Sequence, residues 1–346
     1  MRGIARYVSF FTQHNRNVLC DCVFVPPVST TQPMRTFLVT GGAGFIGSHI
    51  AEALVERGDR VRVLDNLCMG FEENVTRLGE SAELIVGDIN DADVVTAALD
   101  GVDCIFHQAA LASVPLSVES PLQTNAACVT GTVNLLHCAH KAGVRRVVYA
   151  ASSSAYGDNP TASKSETELP MPLSPYAAAK LAAEYYCQAF HHTYGLETVA
   201  IRYFNVFGPR QDPGSPYSAV IPLFITAMLA GRQPIVYGDG GQSRDFTFVA
   251  DVAHGNLLAA DADGVAGKVI NVATGRSVTL LRLLKGLNEL LDTDIQPKFE
   301  PARAGDVRES LADITLAREL MGYEPTIEFE EGLRRSIDYY KSIIAL

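Results

Sequence analysis

The stretch "TFLVTGGAGFIGSHIAEALVERGDRVRVLDN", residues 36–66, reads as a strand, a glycine-rich turn, a helix and a second strand. Its apolar residues first run together and then recur at helical spacing. The glycines fit G-x-G-x-x-G through Gly42, Gly44 and Gly47, and also G-x-x-G-x-x-G through Gly41, Gly44 and Gly47. Such a turn lets the backbone approach a pyrophosphate, and the helix that follows points its free N–H groups at the phosphates. The stretch therefore predicts a dinucleotide-binding turn.

An acidic residue at the end of the second strand bears on which dinucleotide is bound. Asp65 lies where a carboxylate accepts hydrogen bonds from the hydroxyls of the adenosine ribose. The same carboxylate would repel a 2′-phosphate, so the sequence favours NAD over NADP. A glycine turn with only a structural role is the alternative interpretation, and it would not require this acid.

Further apolar segments continue the alternation of strands and helices. The strands are predicted in "AELIVGDI", "VDCIFHQAA" and "VRRVVYAASSS", and the helices in "DADVVTAAL" and "GTVNLLHCAHKAG". Continuous apolar strands between helices predict an α/β fold with a Rossmann-like, doubly wound parallel sheet that is covered on both faces. Asp88, Ala109 and Ser152 fall at the carboxyl ends of strands, where the ligands of such sheets collect.

One predicted helix carries an unusual pair of side chains. In "SPYAAAKLAAEYYCQAF", residues 174–190, Tyr176 and Lys180 are four apart and so share a face. A solvated surface pair is the simplest interpretation. The other is a phenol made acidic by a neighbouring ammonium, which would let the tyrosine act as a base near neutral pH. Ser152 ends a strand that opens into the same crevice, where it would hydrogen-bond a substrate oxygen, and this favours the second interpretation.

Composition narrows the class of partner. The 346 residues are 47% hydrophobic and carry a formal net charge of −11, which disfavours a nucleic-acid binder that relies on phosphate neutralisation. The seven cysteines are scattered and include a lone Cys20/Cys22 pair, so we predict neither disulfides nor a metal site. We find no apolar run long enough to span a membrane and expect a cytoplasmic protein.

The chain divides into unequal parts. Residues 1–33 end in a Pro/Ser/Thr run, and we expect either a poorly ordered extension or a start codon placed upstream of Met34. Residues 34–205 are expected to form the dinucleotide-binding domain. Residues 206–346 are expected to form a smaller α/β lobe that binds substrate and interleaves with the first domain.

These motifs together carry a resemblance to a known family. The segments "TGGAGFIGSH", "LDN", "GDI", "HQAA", "ASSSAYG", "SPYAAAK" and "RYFNVFGP" resemble the extended short-chain dehydrogenase/reductases, in particular the nucleotide-sugar epimerases. Among these, "HQAALASVPLSV", "ASSSAYGDNP", "FNVFGPRQDP" and "GDGGQSRDF" are most similar to UDP-N-acetylglucosamine 4-epimerases. The resemblance implies an isomerase that binds NAD tightly, acts on a UDP-sugar and forms a homodimer through helices that include the Tyr176 helix.

The resemblance also implies a role for each matching position. The catalytic set is Ser152, Tyr176 and Lys180. The positions that match cofactor contacts are Gly41, Gly44, Phe45, Ile46, Gly47, Asp65, Asn66, Asp88, Ile89, Ala109, Tyr176, Lys180 and Tyr203. The positions that match substrate contacts are Ser153, Ser154, Asn205, Gln211, Val220, Arg244, Arg303, Asp306 and Ser310. The two arginines suit a diphosphate because a guanidinium is a planar, permanently charged fork.

The implied reaction inverts C4 of a UDP-hexose through a transient 4-keto sugar. Tyr176, as a phenolate, takes the 4-hydroxyl proton while NAD⁺ takes the C4 hydride, and the hydride returns to the opposite face after the sugar turns over. No net redox change occurs, so NAD stays bound. Ser310 lies where relatives restricted to non-acetylated hexoses carry tyrosine. The small residue favours UDP-GlcNAc/UDP-GalNAc, with UDP-Glc/UDP-Gal as a second pair.

Two departures from the family pattern and several rival functions stay open. Many relatives carry Asn at Cys128, a cofactor-side position that Asn125 is expected to take over, and Gly at Ala112 near the sugar. A 4,6-dehydratase or a nucleotide-sugar decarboxylase would need carboxylates where Ser153 and Ser154 stand. The remaining rivals are a UDP-glucuronate 4-epimerase, a net-redox reductase and a non-catalytic NAD sensor. A sensor typically loses the Tyr–Lys pair, which is retained here.

Overall fold

The structure is a computed structural model that describes residues 34–214, 219–302 and 308–344. The expectations for residues 1–33, which include the Cys20/Cys22 pair, lie outside the described residues, as do those for Arg303 and Asp306.

The strands follow the apolar segments of the sequence. They are β1 (Thr36–Thr40), β2 (Arg60–Asp65), β3 (Ala82–Val86), β4 (Cys104–His107), β5 (Arg146–Ser152), β6 (Glu197–Tyr203), β7 (Val206–Phe207), β8 (Ile235–Tyr237), β9 (Ser243–Arg244), β10 (Thr247–Phe248), β11 (Val269–Val272), β12 (Val278–Thr279) and β13 (Lys298–Glu300).

The helices fill most of the intervals between the strands. They are α1 (Phe45–Arg57), α2 (Glu73–Thr76), α3 (Ala92–Ala98), α4 (Val114–Glu119), α5 (Pro121–Asn125), α6 (Gly131–Ala142), α7 (Pro175–Tyr194), α8 (Val220–Leu229), α9 (Val249–Asp261), α10 (Leu280–Leu291), α11 (Thr315–Met321) and α12 (Phe329–Ile344). A short 3₁₀ turn, Ser153–Tyr156, which we call the serine turn, follows β5. A π-helical segment, Ala126–Thr130, which we call the π turn, joins α5 to α6.

Seven strands form the main sheet, in the order β11-β6-β5-β4-β1-β2-β3, and every neighbouring pair is parallel. The strand order reverses between β1 and β4, because the chain runs outward from β1 to β3 and then returns to the other side of β1. Ligands of open α/β sheets bind at the carboxyl ends of the strands beside such a reversal. The topology therefore predicts a ligand site formed by the residues that follow β1 and β4.

Helices cover both faces of this sheet, as the sequence predicted. On one face, α1, α9 and α11 bury Ile50, Val252 and Ala317 against the strands. On the other face, α3, α6 and α7 bury residues such as Leu135 and Cys187. The central strands β1, β4 and β5 contribute apolar side chains to both layers, so their sequences are continuous apolar runs rather than alternating ones. The doubly wound, Rossmann-like α/β class is confirmed.

A third apolar core belongs to the later part of the chain. It packs α8, α10 and α12 around β8, with Phe224, Leu283 and Tyr340 among its buried side chains. β11 also comes from this part of the chain, yet it pairs with β6 at the end of the main sheet. The division between residues 205 and 206 stays a prediction. Among the described residues, no helix is both long enough and apolar enough to cross a bilayer.

Candidate active site

The glycine turn after β1 is pressed against its surroundings so closely that side chains are excluded. Gly41 has φ +68°, and a Cβ there would lie 2.6 Å from the backbone nitrogen of Ala109 after β4. A Cβ on Gly47 would lie 2.3 Å from the carbonyl oxygen of Gly41. Real Cβ atoms do not approach backbone this closely, so glycine is required at both positions. The turn thus packs α1 tightly on β1.

The carboxylate of Asp65, the last residue of β2, is oriented by backbone amides of the glycine turn and of its own loop. Its Oδ2 accepts a 3.0 Å hydrogen bond from the nitrogen of Ala43, and its Oδ1 accepts a 2.8 Å bond from the nitrogen of Leu67. Next to it, Asn66 donates a 2.9 Å bond to Asp88 at the end of β3. Partial burial opposes ionisation of Asp88, but bonds from Asn90 and Asn66 outweigh it and lower the pKa.

A cleft of about 690 Å³ opens over the carboxyl ends of β1, β2 and β4. All the positions that the sequence assigned to the cofactor line it, namely Gly41, Gly44, Phe45, Ile46, Gly47, Asp65, Asn66, Asp88, Ile89, Ala109, Tyr176, Lys180 and Tyr203. Tyr203 is also held by a hydrogen bond of 2.8 Å from its hydroxyl to Asn256 and receives one of 2.9 Å from Gln108.

A buried cation that the sequence analysis missed also lines this cleft. Arg210 has φ +66°, is 7% exposed and donates through Nη2 to Glu52 on α1. Among the described residues its Nη1 is buried without a hydrogen-bond partner, and burial lowers the pKa of the guanidinium. The only sequence signal for Arg210 as a cleft residue is its place next to Gln211 in "GPRQ", because a positive φ cannot be read from the sequence.

The residues around this cleft fit a dinucleotide. Phe45, Ile46 and Gly47 in the first turn of α1 line the cleft, so the N-terminal N–H groups of this helix can bind phosphates, and the orphaned Nη1 of Arg210 adds a donor suited to an anion. The Asp65 carboxylate, held by two amides, has further lone pairs for ribose hydroxyls.

The three predicted catalytic residues meet where β5 and α7 come together. Ser152 ends β5 and accepts hydrogen bonds from the nitrogen of Ser154 at 3.2 Å and from its hydroxyl at 2.8 Å. Tyr176 lies in the first turn of α7, which begins with Pro175 and is capped by Ser174. Lys180, one turn later, is 4% exposed, and its ammonium lies 4.9 Å from the centroid of the Tyr149 ring.

Burial shifts the pKa values of both Tyr176 and Lys180. Burial raises the pKa of Tyr176 well above its usual value, whereas the nearby Ser152 side chain lowers it to a smaller extent. Burial also lowers the pKa of Lys180. In the protein by itself the desolvation of both groups opposes their charged forms, and the lowering of the Tyr176 pKa by Lys180 together with a bound nicotinamide stays a prediction.

A buried chain of hydrogen bonds runs beneath the catalytic residues. His107 joins Thr40 at 2.7 Å and Thr132 at 2.8 Å, and the Thr132 hydroxyl donates 2.7 Å to the carbonyl oxygen of Cys128 in the π turn. Burial lowers the pKa of His107 to about 3, so the ring is neutral. Because Thr132 gives its proton to Cys128, it accepts from Nε2–H, and Nδ1 accepts from Thr40.

The chain of hydrogen bonds ends at Cys128, where the family pattern has asparagine. Cys128 is 1% exposed, and its position in the π turn places it near Tyr176 and Lys180. Asn125, which was expected to replace the missing asparagine, is exposed at the end of α5 and is not among the residues that line either cleft. That expectation is wrong, because the π turn directs Ala126 and Ala127 into the cofactor cleft instead.

A second and larger cleft of about 1260 Å³ adjoins the first. The described positions that the sequence assigned to substrate all line it, namely Ser153, Ser154, Asn205, Gln211, Val220, Arg244 and Ser310, together with Ser152. Tyr176 lines both clefts, as do Ala112 and Tyr203. Lys164 and Gln242 also line the larger cleft, and sequence reasoning did not single them out.

The fold and this pair of clefts define a dinucleotide-dependent α/β enzyme. Residues 37–273 match the model of the NAD dependent epimerase/dehydratase family. The UDP-N-acetylglucosamine 4-epimerase of Methanobrevibacter ruminantium M1, solved in complex with UDP-N-acetylmuramic acid, is 44% identical with a TM-score of 0.86, over 90% of this chain and 99% of that one.

Curated proteins of similar sequence are also named as 4-epimerases of UDP-sugars. The UDP-glucose 4-epimerase of Mycolicibacterium smegmatis is 38% identical over 89% of this chain and 99% of its own length. A UDP-glucuronate 4-epimerase of Thermodesulfobacterium geofontis is 32% identical over 90% of this chain and 98% of its own length. The chain belongs to the NAD-dependent epimerase/dehydratase family. Within that family it is an isomerase of the UDP-sugar 4-epimerase type, and its cofactor is NAD.

Proposed function

We propose that this enzyme interconverts UDP-GlcNAc and UDP-GalNAc, and UDP-Glc and UDP-Gal as a second pair, by inverting C4 of the hexose. The observation that carries the proposal is the position of Tyr176, whose side chain lines both the cofactor cleft and the larger cleft. A general base at that junction can reach a sugar hydroxyl while the hydroxyl-bearing carbon faces the cofactor.

The chain's own residues then perform the proton chemistry. NAD, when bound, supplies the acceptor and donor of the C4 hydride. Tyr176 takes the proton of the 4-hydroxyl and later returns it to the keto oxygen, and Ser152 donates a hydrogen bond to that oxygen. Lys180 stabilises the phenolate by its charge. Arg244, with Arg303 and Asp306 from outside the described residues, is proposed to hold the uridine diphosphate while the sugar turns over.

Two features support retention of NAD between turnovers. The glycine turn packs against Ala109 and buries the backbone around the proposed pyrophosphate site. Arg210 bridges the segment that carries Gln211 to helix α1 through Glu52, so it fastens the substrate side of the cofactor cleft to the glycine-turn side. Because the reaction has no net redox change, a cofactor held in this way serves every cycle.

The preference for an N-acetyl group rests on Ser310. This residue lines the larger cleft, and its nitrogen donates a 3.1 Å hydrogen bond to the carbonyl oxygen of Ser243 in β9. A serine leaves open the volume that a tyrosine ring would fill, and an acetamido group at C2 can use that volume. A substrate with only a hydroxyl at C2 still fits, which is why we propose both pairs of substrates.

UDP-glucuronate is the second candidate, and one observation favours it. Lys164 places a cation among the residues that line the larger cleft. Its ammonium donates to the carbonyl oxygens of Asn159 and Thr161, however, so it is already engaged by the loop. A hexose carboxylate would have to displace these contacts, and we therefore rank this substrate below the neutral sugars.

The experiment is to incubate the NAD-loaded enzyme with UDP-GlcNAc, UDP-Glc and UDP-glucuronate in turn, and to follow the C4 epimers by proton NMR. We expect turnover of the first two. Ser310→Tyr is expected to lower kcat/KM for UDP-GlcNAc at least about tenfold and to preserve that for UDP-Glc. Ser81→Tyr, which adds the same ring at an exposed position outside both clefts, is the control. Preferential turnover of UDP-glucuronate, or equal loss on both neutral sugars in Ser310→Tyr, would contradict the proposal.

A further inference from the structure

A single buried amide connects the serine turn to the segment that carries Ser310. Asn271 lies in β11 and is 0% exposed. The hydroxyl of Tyr156, the last residue of the serine turn, donates a 2.7 Å hydrogen bond to Asn271 Oδ1. Asn271 Nδ2 donates 2.9 Å to the carbonyl oxygen of Lys164 and 3.1 Å to that of Asp313.

The orientation of this amide follows from its partners. Carbonyl oxygens only accept hydrogen bonds, so the atom that faces Lys164 and Asp313 is the nitrogen. Both of its protons are used, and the remaining oxygen faces the phenol. The backbone nitrogen of Asn271 is fixed as well, because it donates 2.7 Å to Glu166. Asn271 thus has one orientation, because both atoms of its side-chain amide and its backbone nitrogen are hydrogen-bonded.

The bonds to Lys164 and Asp313 hold the Ser310 segment, which we define as Arg308–Asp313, against the loop that contains Lys164. The backbone nitrogen of Lys164 donates a 2.8 Å hydrogen bond to the carbonyl oxygen of Leu311. The backbone nitrogen of Asp313 donates a 2.9 Å bond to the carbonyl oxygen of Lys164. The Asn271 amide bridges the two chains beside this ladder.

A carboxylate holds the same segment from its other side. Asp245, which is 0% exposed, accepts from the nitrogen of Ala312 at 3.3 Å and from those of Thr274 and Gly275 at 3.0 and 2.9 Å. Ser310 is therefore carried on a segment that is fixed by hydrogen bonds before substrate arrives.

We propose that Asn271 is a positioning residue for the C2 substituent of the hexose, because it sets the place of the Ser310 segment relative to the serine turn. This inference rests on the proposed function. Both structures that it joins line the larger cleft, whereas Asn271 itself does not. A shift of the Ser310 segment changes the room for an acetamido group more than the room for a hydroxyl, so loss of the amide bonds impairs the acetylated substrate selectively.

The test separates the two ends of the amide. Asn271→Asp keeps an oxygen for the Tyr156 hydroxyl but cannot donate to both carbonyl oxygens. Tyr156→Phe removes the hydroxyl and leaves both of those bonds in place. We expect Asn271→Asp to lower the preference for UDP-GlcNAc over UDP-Glc, measured as the ratio of kcat/KM values, by about three- to tenfold. Tyr156→Phe is expected to slow both substrates by the same factor and to leave the ratio unchanged.

Separate control measurements test whether the variant is folded and whether the proposed function holds. Melting temperature and NAD content show whether Asn271→Asp is folded, and if it is not, Asp245→Asn loosens the same segment from the other side and is expected to shift the ratio in the same direction. Calorimetric dissociation constants for the two UDP-sugars give the same ratio without turnover. A wild-type enzyme that turns over neither sugar would overturn the proposed function, whereas an unchanged ratio in the folded variant would overturn the role of Asn271.

Discussion

The ammonium of Lys180 donates a 2.7 Å hydrogen bond to the carbonyl oxygen of Ala150, two residues before Ser152 on β5. In return, the hydroxyl of Tyr149 donates a 3.2 Å bond to the carbonyl oxygen of Lys180. These two bonds fasten α7 to β5 at the place where Tyr176 and Ser152 face the clefts. The lysine therefore orients the catalytic pair in addition to supplying charge.

Removal of the Tyr176 hydroxyl should abolish epimerisation and leave the cofactor in place. We expect Tyr176→Phe to lower kcat by about 10²–10⁴-fold, because the general base is lost while the glycine turn and Asp65 are unchanged. The measurements are turnover by NMR and NAD content by absorbance of the released cofactor. Tyr194→Phe, on the same helix but 52% exposed, should behave as the wild type. Near-normal turnover by Tyr176→Phe would exclude this residue as the base.

The activity should depend on pH through the Tyr176–Lys180 pair. Burial raises the pKa of Tyr176, whereas the bound cofactor and the Lys180 ammonium are expected to lower it. Because the phenolate is the active form, kcat/KM should rise with pH up to the pKa that these opposing effects set. In Lys180→Met the charge that favours the phenolate is absent, and the rising limb should move to higher pH. Lys180→Arg keeps a positive charge and should move it less. An identical profile in all three proteins would contradict a charge role for Lys180.

The free energy of unfolding should fall with acidification because of His107. Its pKa is lowered from 6.5 to about 3 in the folded state, so the unfolded chain binds the proton first as the pH falls. The stabilisation is complete above pH 6.5 and is lost progressively toward pH 3. Between pH 7 and pH 5 the loss from this group is about 2 kcal/mol.

Urea unfolding at the two pH values measures this effect. His107→Asn has no imidazole to protonate, so its unfolding free energy should change less with pH even though the variant is less stable overall. His192→Gln, at an exposed position of α7, should keep the wild-type dependence. A wild-type dependence in His107→Asn would show that other groups cause the loss.

We propose that the enzyme is a homodimer whose interface is formed by exposed apolar side chains on three helices that pack together. Val118 on α4, Leu122 on α5 and Tyr185 on α7 are 65%, 85% and 52% exposed. Leu122→Asp should convert the dimer to a monomer in sedimentation experiments, because a buried charge at an interface is costly. Phe299→Asp, on β13 and 54% exposed, is the control. A wild-type protein that sediments as a monomer at high concentration would refute this interface.

Much of the fold and of the clefts could be predicted because the signals are local. Apolar runs and helical periodicity located β1 to β5 and α1, and the motifs located the residues from Gly41 to Ser310 that line the clefts. The pKa of Tyr176 could not be predicted, because desolvation depends on how the whole chain packs around one hydroxyl. The π turn and the positive φ of Arg210 were also missed, since both are imposed by tertiary contacts.

The position of β11 has a consequence for biosynthesis. This strand pairs with β6, although 65 residues of other structure, from Phe204 to Lys268, separate the two in the chain. A nascent polypeptide that has left the ribosome only as far as β6 presents that strand with its hydrogen-bonding edge bare. The edge stays open until Val272 has emerged, and during this interval self-association competes with correct folding.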